Sequence, residues 1–137
     1  MAKNLTAVFC VDECMGMMFN HRRQSKDRVQ RERLLALLGG KRLWMSVYSG
    51  KLYGDADGVC VHEAFSDMAQ DGDALFFEDT IPVLDGVERV ILYKWNEHYP
   101  SDVRLPFDLC REGFVLKESE DFAGSSHEKI TQEIYER

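Results

Sequence analysis

The stretch that decides the fold is the last third of the chain: VERVILYKWN (87–96), SDVRLPFDL (101–109), EGFVLKESEDFAG (112–124) and SSHEKITQEIYER (125–137). The first piece is rich in β-branched and aromatic residues, which suit a pleated, half-buried surface, and reads as a strand over Val87–Trp95. The last piece is ambiguous by pattern. Ile130 and Ile134 have the spacing of one helix face, which pattern slightly favours, whereas Ile130, Gln132 and Ile134 equally make one face of an edge strand.

Working outward, LTAVFCVD (5–12) is a continuous β-favouring run and predicts a strand buried on both faces. ECMGMMFNHRRQ (13–24) has no period and reads as a loop with room for a short hairpin. From Ser25 the pattern becomes helical, with Ser25 able to cap, Asp27 in the first turn, Val29, Leu34, Leu35, Leu37 and Leu38 following, and Gly39-Gly40 closing it. Strands are expected at Leu43–Val47, Gly58–His62 and Ala74–Phe77, and a short helix at Ala64–Ala69. Strands alternating with helices argue for an α/β fold with a mostly parallel sheet.

The 137 residues, 45% apolar and without repeat or linker, are expected to form a single domain over 1–137. A net charge of −7 gives the surface as a whole no attraction to a phosphate backbone, so nucleic acid is not an expected partner. The N-terminal apolar run is too short for a signal-peptide core or a membrane span, which points to a cytoplasmic protein. Cys10, Cys14, Cys60 and Cys110 include no C-x-x-C pair and are read as free thiols, with no metal site expected.

The closing segments resemble the last strands of the dihydrofolate reductase family, in which a D-x-x-F-P turn precedes an F-x-L-V-E-S-E strand and a final strand ending E-I-Y-E-R. The opening AVFCVDECMGMMFN (7–20) is similar to that family's first strand and its V-D-x-x-x-G-I-G loop. The resemblance implies a dihydrofolate-reductase-like sheet with flanking helices and a C-terminal antiparallel hairpin, so that Ile130–Glu136 becomes a strand paired with Phe114–Glu120. The chain is short for the family, and the helix after the Leu43 strand is expected to be missing or reduced.

The same resemblance implies site residues. Asp27 falls on the acid that holds the pterin ring and assists its protonation, and Tyr93 on the hydroxyl residue that supports that acid. The family's leucine-proline pair is here Gln24 and Ser25, and the aromatic one turn later is Arg31. The dinucleotide-gripping Gly-Gly pair is replaced by Glu78 and Asp79, two carboxylates that would repel a pyrophosphate. The G-R-K-T turn resembles Ser46, Val47, Tyr48 and Ser49, leaving Ser46, Tyr48 and Ser49 as the residues that could still meet a cofactor. Binding of NADPH in the family's manner is therefore not expected.

One feature comes from the residues alone. NHRRQSKDR (20–28) is a basic patch on an acidic protein, read either as a solvated loop or as an anion site built from His21, Arg22, Arg23 and the helix N-terminus at Ser25. SSH (125–127) reads as part of a turn, since strand neighbours point to opposite faces and Ser126 with His127 make no dyad. The functional expectation is a divergent protein that binds a small anionic or nucleotide-like ligand and has lost ordinary reductase chemistry. An NADPH-dependent reductase and a non-catalytic interaction protein remain as alternatives, and the oligomeric state is left open.

Overall fold

The apolar run near the N-terminus forms β1 (Leu5–Val11), buried along its length as a run without polar alternation requires. In the computed structural model, which describes residues 4–137, the chain continues through a hairpin of β2 (Gly16–Phe19) and β3 (Arg22–Arg23) to helix α1 (Arg28–Leu38). Then come β4 (Leu43–Met45), α2 (Val47–Tyr53), β5 (Val59–Val61), α3 (Phe65–Met68) and β6 (Ala74–Phe76). The last third contributes β7 (Val87–Lys94), β8 (Val103–Arg104), β9 (Val115–Phe122) and β10 (Ile130–Glu136). Seven strands make one sheet in the order β5-β4-β6-β1-β7-β10-β9, and β3-β2-β8 make a small second sheet. The first five strands of the large sheet are parallel, and β10 pairs antiparallel with both β7 and β9. This is the α/β architecture with a C-terminal hairpin that the sequence led us to expect.

Alternation along the strands divides the core in two. Ala7, Phe9 and Val11 of β1 join Phe65, Phe77, Leu92 and Phe114 on one face of the sheet. Val8 joins Leu34 and Leu38 of α1 with Ile91, Tyr93, Ile130 and Ile134 on the other. The helix ends as its glycine pair dictates: Gly39 is left-handed at φ 60° and ψ 36°, and its N–H reaches the Leu35 and Ala36 carbonyls. Among the described residues no helix is long and apolar enough to cross a membrane.

Two expectations need correction. The helix begins at Arg28, with Asp27 rather than Ser25 as its cap, because Asp27 is extended (φ −154°, ψ 126°) and its carboxylate accepts from the Gln30 N–H. The strand expected over Leu43–Val47 stops at Met45, since the Ser46 hydroxyl accepts from the Ser49 N–H and starts α2. A seven-residue helix, α2, thus follows the Leu43 strand. The C-terminal segment is the strand that the resemblance implies: β10 alternates buried Ile130, Gln132 and Ile134 with half-buried Thr131, Glu133 and Tyr135, a period of two. Its partner β9 is an edge strand carrying Lys117, Glu118, Glu120 and Asp121, charges that discourage a further strand from adding.

This periodicity predicts the response to truncation. Ile134→Ala empties a 2%-exposed position in the cluster beneath α1 and should cost about 2–5 kcal/mol in urea unfolding. Lys117→Ala, on the exposed edge strand, should stay within about 0.5 kcal/mol of the parent. Comparable losses in both would contradict the hairpin.

Candidate functional site

Two polar clusters lie beside α1, and both use residues singled out in the sequence. The first is centred on Asp27. Its side chain is short enough to fold back on the first turn of α1, so Oδ1 accepts from the Gln30 N–H at 3.1 Å. The loop between β9 and β10 closes on the same carboxylate: the Ser125 N–H reaches Oδ1 at 3.0 Å, the Ser126 N–H reaches Oδ2 at 2.8 Å, and His127 Nδ1 reaches Oδ2 at 2.9 Å. In return the Arg28 N–H donates to Ser125 Oγ at 3.0 Å. Four donors fill the roughly four lone-pair positions a carboxylate offers. Burial alone would push the Asp27 carboxyl up, but the hydrogen bonds from His127, Ser126, Ser125 and Gln30 more than reverse it and hold the group far below the usual carboxylate range.

An ionised Asp27 can only accept, so the proton of a neutral His127 sits on Nδ1 and Nε2 keeps its lone pair. That Nε2 lies 2.7 Å from Ser25 Oγ. The indole of Trp95 stacks on the imidazole with ring centres 4.6 Å apart and planes 19° apart, fixing the ring's orientation. The Asp27 and His127 side chains are buried and Ser25 is partly exposed.

The second cluster lies at the carboxyl ends of β4 and β6. The Arg23 guanidinium grips Glu78 with Nε–Oε2 at 2.5 Å and Nη2–Oε1 at 3.2 Å, and it lies 4.5 Å over the Tyr48 ring. Ser49 Oγ donates to Glu78 Oε1 at 2.7 Å, and the Tyr48 hydroxyl accepts from the Arg23 N–H at 3.1 Å. Burial pushes the Cys10 thiol well up, with the Glu78 charge adding to it. Burial likewise raises Tyr53, with Cys10, Tyr93 and Glu78 contributing and Arg31 opposing. Two side-chain atoms near this cluster, Arg31 Nη1 and the Tyr53 hydroxyl, are buried with no hydrogen-bond partner among the described residues.

The expected site residues are thus redistributed. Asp27 and Ser25 meet through His127, which follows the turn at Ser125 and Ser126. Tyr93 donates its hydroxyl to Gln132 Oε1 at 2.9 Å, while Asp27 takes its bonds elsewhere. Ser46 caps α2, and Ser49 and Tyr48 serve Glu78 and Arg23. His21 sits with Asn20 in the two-residue turn of the β2–β3 hairpin, both at positive φ, and lines a cavity of about 560 Å³ with Met18, Tyr48, Asp79, Asp102 and Val103. Arg22 and Arg23 do not act as a pair, because Arg23 is committed to Glu78 and Arg22 is exposed. The expected repulsion from Glu78 and Asp79 also needs revision. Glu78 is buried with its charge matched by Arg23, which leaves the exposed Asp79 to face the cavity. No sequence signal marked His127, which lies 102 residues from Ser25.

No protein-family model matches the chain, and no curated protein does. Among solved structures, a dihydrofolate reductase from Enterococcus faecalis, complexed with NADP(H) and RAB-propyl, is similar over 98% of this chain and 96% of its own, with a TM-score of 0.71 and 11% identity. At that identity the likeness shows a dihydrofolate-reductase-like fold.

Two tests follow from the Asp27 cluster. A Cβ at Gly124 would collide with Asp27 Oδ2 and come within 2.8 Å of Ile130 Cδ1, so Gly124→Ala should destabilise by about 1–3 kcal/mol in urea unfolding. The depressed pKa of Asp27 gives stability that is complete above the unfolded value of about 3.9 and lost as pH falls toward the folded value. The parent Tm should therefore fall steeply below about pH 4. Asp27→Asn should melt lower at pH 7, by the equivalent of about 1.5–3 kcal/mol, with a flatter acid limb. Parallel acid limbs would count against this role.

Proposed function

We propose that this protein binds a small anionic or nucleotide-like ligand in the cleft at the carboxyl ends of the parallel strands, without ordinary reductase chemistry. The observation that carries the reading is the pair of unpartnered buried groups, Arg31 Nη1 and the Tyr53 hydroxyl, beside the Arg23–Glu78 pair. Leaving a buried donor unsatisfied costs about 1–3 kcal/mol, more when it is charged. An oxygen of a carboxylate or phosphate is the kind of acceptor these donors lack. Open α/β sheets bind ligands outside the carboxyl ends of their strands, where the Arg23–Glu78 pair lies.

Loss of reductase chemistry is supported by the state of Asp27. A carboxylate already saturated by three backbone N–H groups and His127 has no lone pair left for a ring N–H and amino group, and one held so acidic does not supply a proton at neutral pH. The cofactor side agrees, since Glu78 and Asp79 stand where glycines would grip a pyrophosphate and Val47 where a cation would.

NADPH titrated by calorimetry is accordingly expected to give no low-micromolar dissociation constant; one in that range would revive the reductase reading. Ligand binding is tested by thermal shift against phosphate, small carboxylates and nucleoside phosphates. At least one should raise the Tm of the parent. Arg31→Met should abolish that shift while leaving the unliganded Tm equal or higher, because an unsatisfied buried cation is removed. A shift that survives the substitution, or a parent that responds to no anion, would remove the proposal.

A further inference from the structure

We propose that Ser25, His127 and Asp27 form a nucleophile, base and orienting acid, and that Ser25 attacks the carbonyl carbon of small esters or thioesters carrying an anionic group. The evidence is the order of contacts. Ser25 Oγ meets His127 Nε2 at 2.7 Å, and His127 Nδ1 meets Asp27 Oδ2 at 2.9 Å. Such constellations are recognised by geometry and roles, on unrelated folds and in any chain order. The chain order here is Ser, Asp, His, with Ser25 and Asp27 two residues apart.

Each member is fixed in the state its role needs. Three backbone N–H groups hold Asp27 ionised and immobile, which makes His127 Nδ1 the donor and leaves Nε2 free to take the Ser25 proton. Trp95 covers one face of the imidazole. The two inner members are buried, whereas Ser25 is partly exposed, as a nucleophile must be.

The neighbours of Ser25 suggest the substrate class. Gln24, Arg22 and Tyr99 line a cavity of about 370 Å³ with Phe19, Asn20, Arg23 and Pro100. Arg22 and Lys26 are exposed or half-exposed flanking residues that form no ion pair among the described residues. These cations, three positions before and one after Ser25 in the chain, favour a substrate with a carboxylate or phosphate.

The chemistry balances without a cofactor. Ser25 Oγ bonds to the carbonyl carbon as its proton passes to His127 Nε2. The tetrahedral adduct collapses, the C–O or C–S bond breaks, and the leaving alkoxide or thiolate takes that proton. Water then attacks the acyl-serine with His127 again as base, releasing the carboxylic acid and restoring Ser25. The step uses neither the Arg31 side chain nor Tyr53, so it stands or falls independently of the ligand proposed above.

The test is covalent labelling of the full chain with a fluorophosphonate, read by intact mass and peptide mapping. A single adduct on Ser25 is expected, absent in Ser25→Ala and formed about 100-fold more slowly in His127→Gln, with melting curves run in parallel. Because His127→Gln loses a bond to Asp27 and risks misfolding, Ser25→Cys supplies a second measurement. Its new thiol should react with iodoacetamide at least about tenfold faster than the exposed free Cys110 of the same molecule. The parent should also hydrolyse p-nitrophenyl hydrogen succinate faster than p-nitrophenyl acetate. No adduct on Ser25 of the folded parent, or a new thiol no faster than Cys110, overturns the nucleophile; equal ester rates overturn the anionic substrate class.

Discussion

A single buried carboxylate ties the helical layer to the C-terminal hairpin. Asp27 closes the N-terminus of α1 and at the same time receives the backbone of residues 125 and 126 and the ring of His127, nearly a hundred positions away. A buried charge is tolerable only when its hydrogen-bonding capacity is filled, so the loop must arrive with its N–H groups pointed at one spot. Gly124 is part of that requirement, because no Cβ fits against the carboxylate there. The position of α1 over Val8, Ile91, Ile130 and Ile134 is thereby fixed at its N-terminal end by polarity and along its length by Leu34 and Leu38.

The same rule explains the interior of the cleft. Glu78 follows a strand whose residues are all buried, and a lone carboxylate there would be prohibitively expensive to desolvate. Arg23 reaches it from the β2–β3 hairpin and Ser49 from α2, so one ion pair draws three elements to the carboxyl ends of the strands. The result is an internal salt bridge at the strand ends. Arg31 adds a cation to the same region, its Nη1 without a partner among the described residues.

Much of the architecture was legible because it rests on local patterns. LTAVFCV, ALF and VERVILYK are apolar or β-branched runs of strand length, and the Gly39-Gly40 pair stops α1 where the sequence says it should. The boundaries were less legible where a single side chain chose between alternatives. Asp27 outcompeted Ser25 as the cap, and Ser46 ended β4 early by starting α2. The C-terminal segment was the hardest: Ile130 and Ile134 satisfy both periods, and pairing with Val90, Ile91 and Tyr93 of β7 made the strand.

By itself, then, the sequence determined the succession of strands and helices, the mostly parallel sheet, and which residue types were available for chemistry near Ser25, Asp27, Ser49 and Glu78. Those properties follow from hydrophobic periodicity, glycine geometry and residue identity, which act over a few positions. Only the tertiary structure decided which polar groups meet. Ser25 and Asp27 are joined by His127 because β10 folds back beside β7, and Glu78 is neutralised by Arg23 because a hairpin 55 residues upstream crosses the strand ends. A one-dimensional reading carries no distance between such residues, whereas burial makes the pairing compulsory: once the fold removes these charges from water, each has to find its partner on another element.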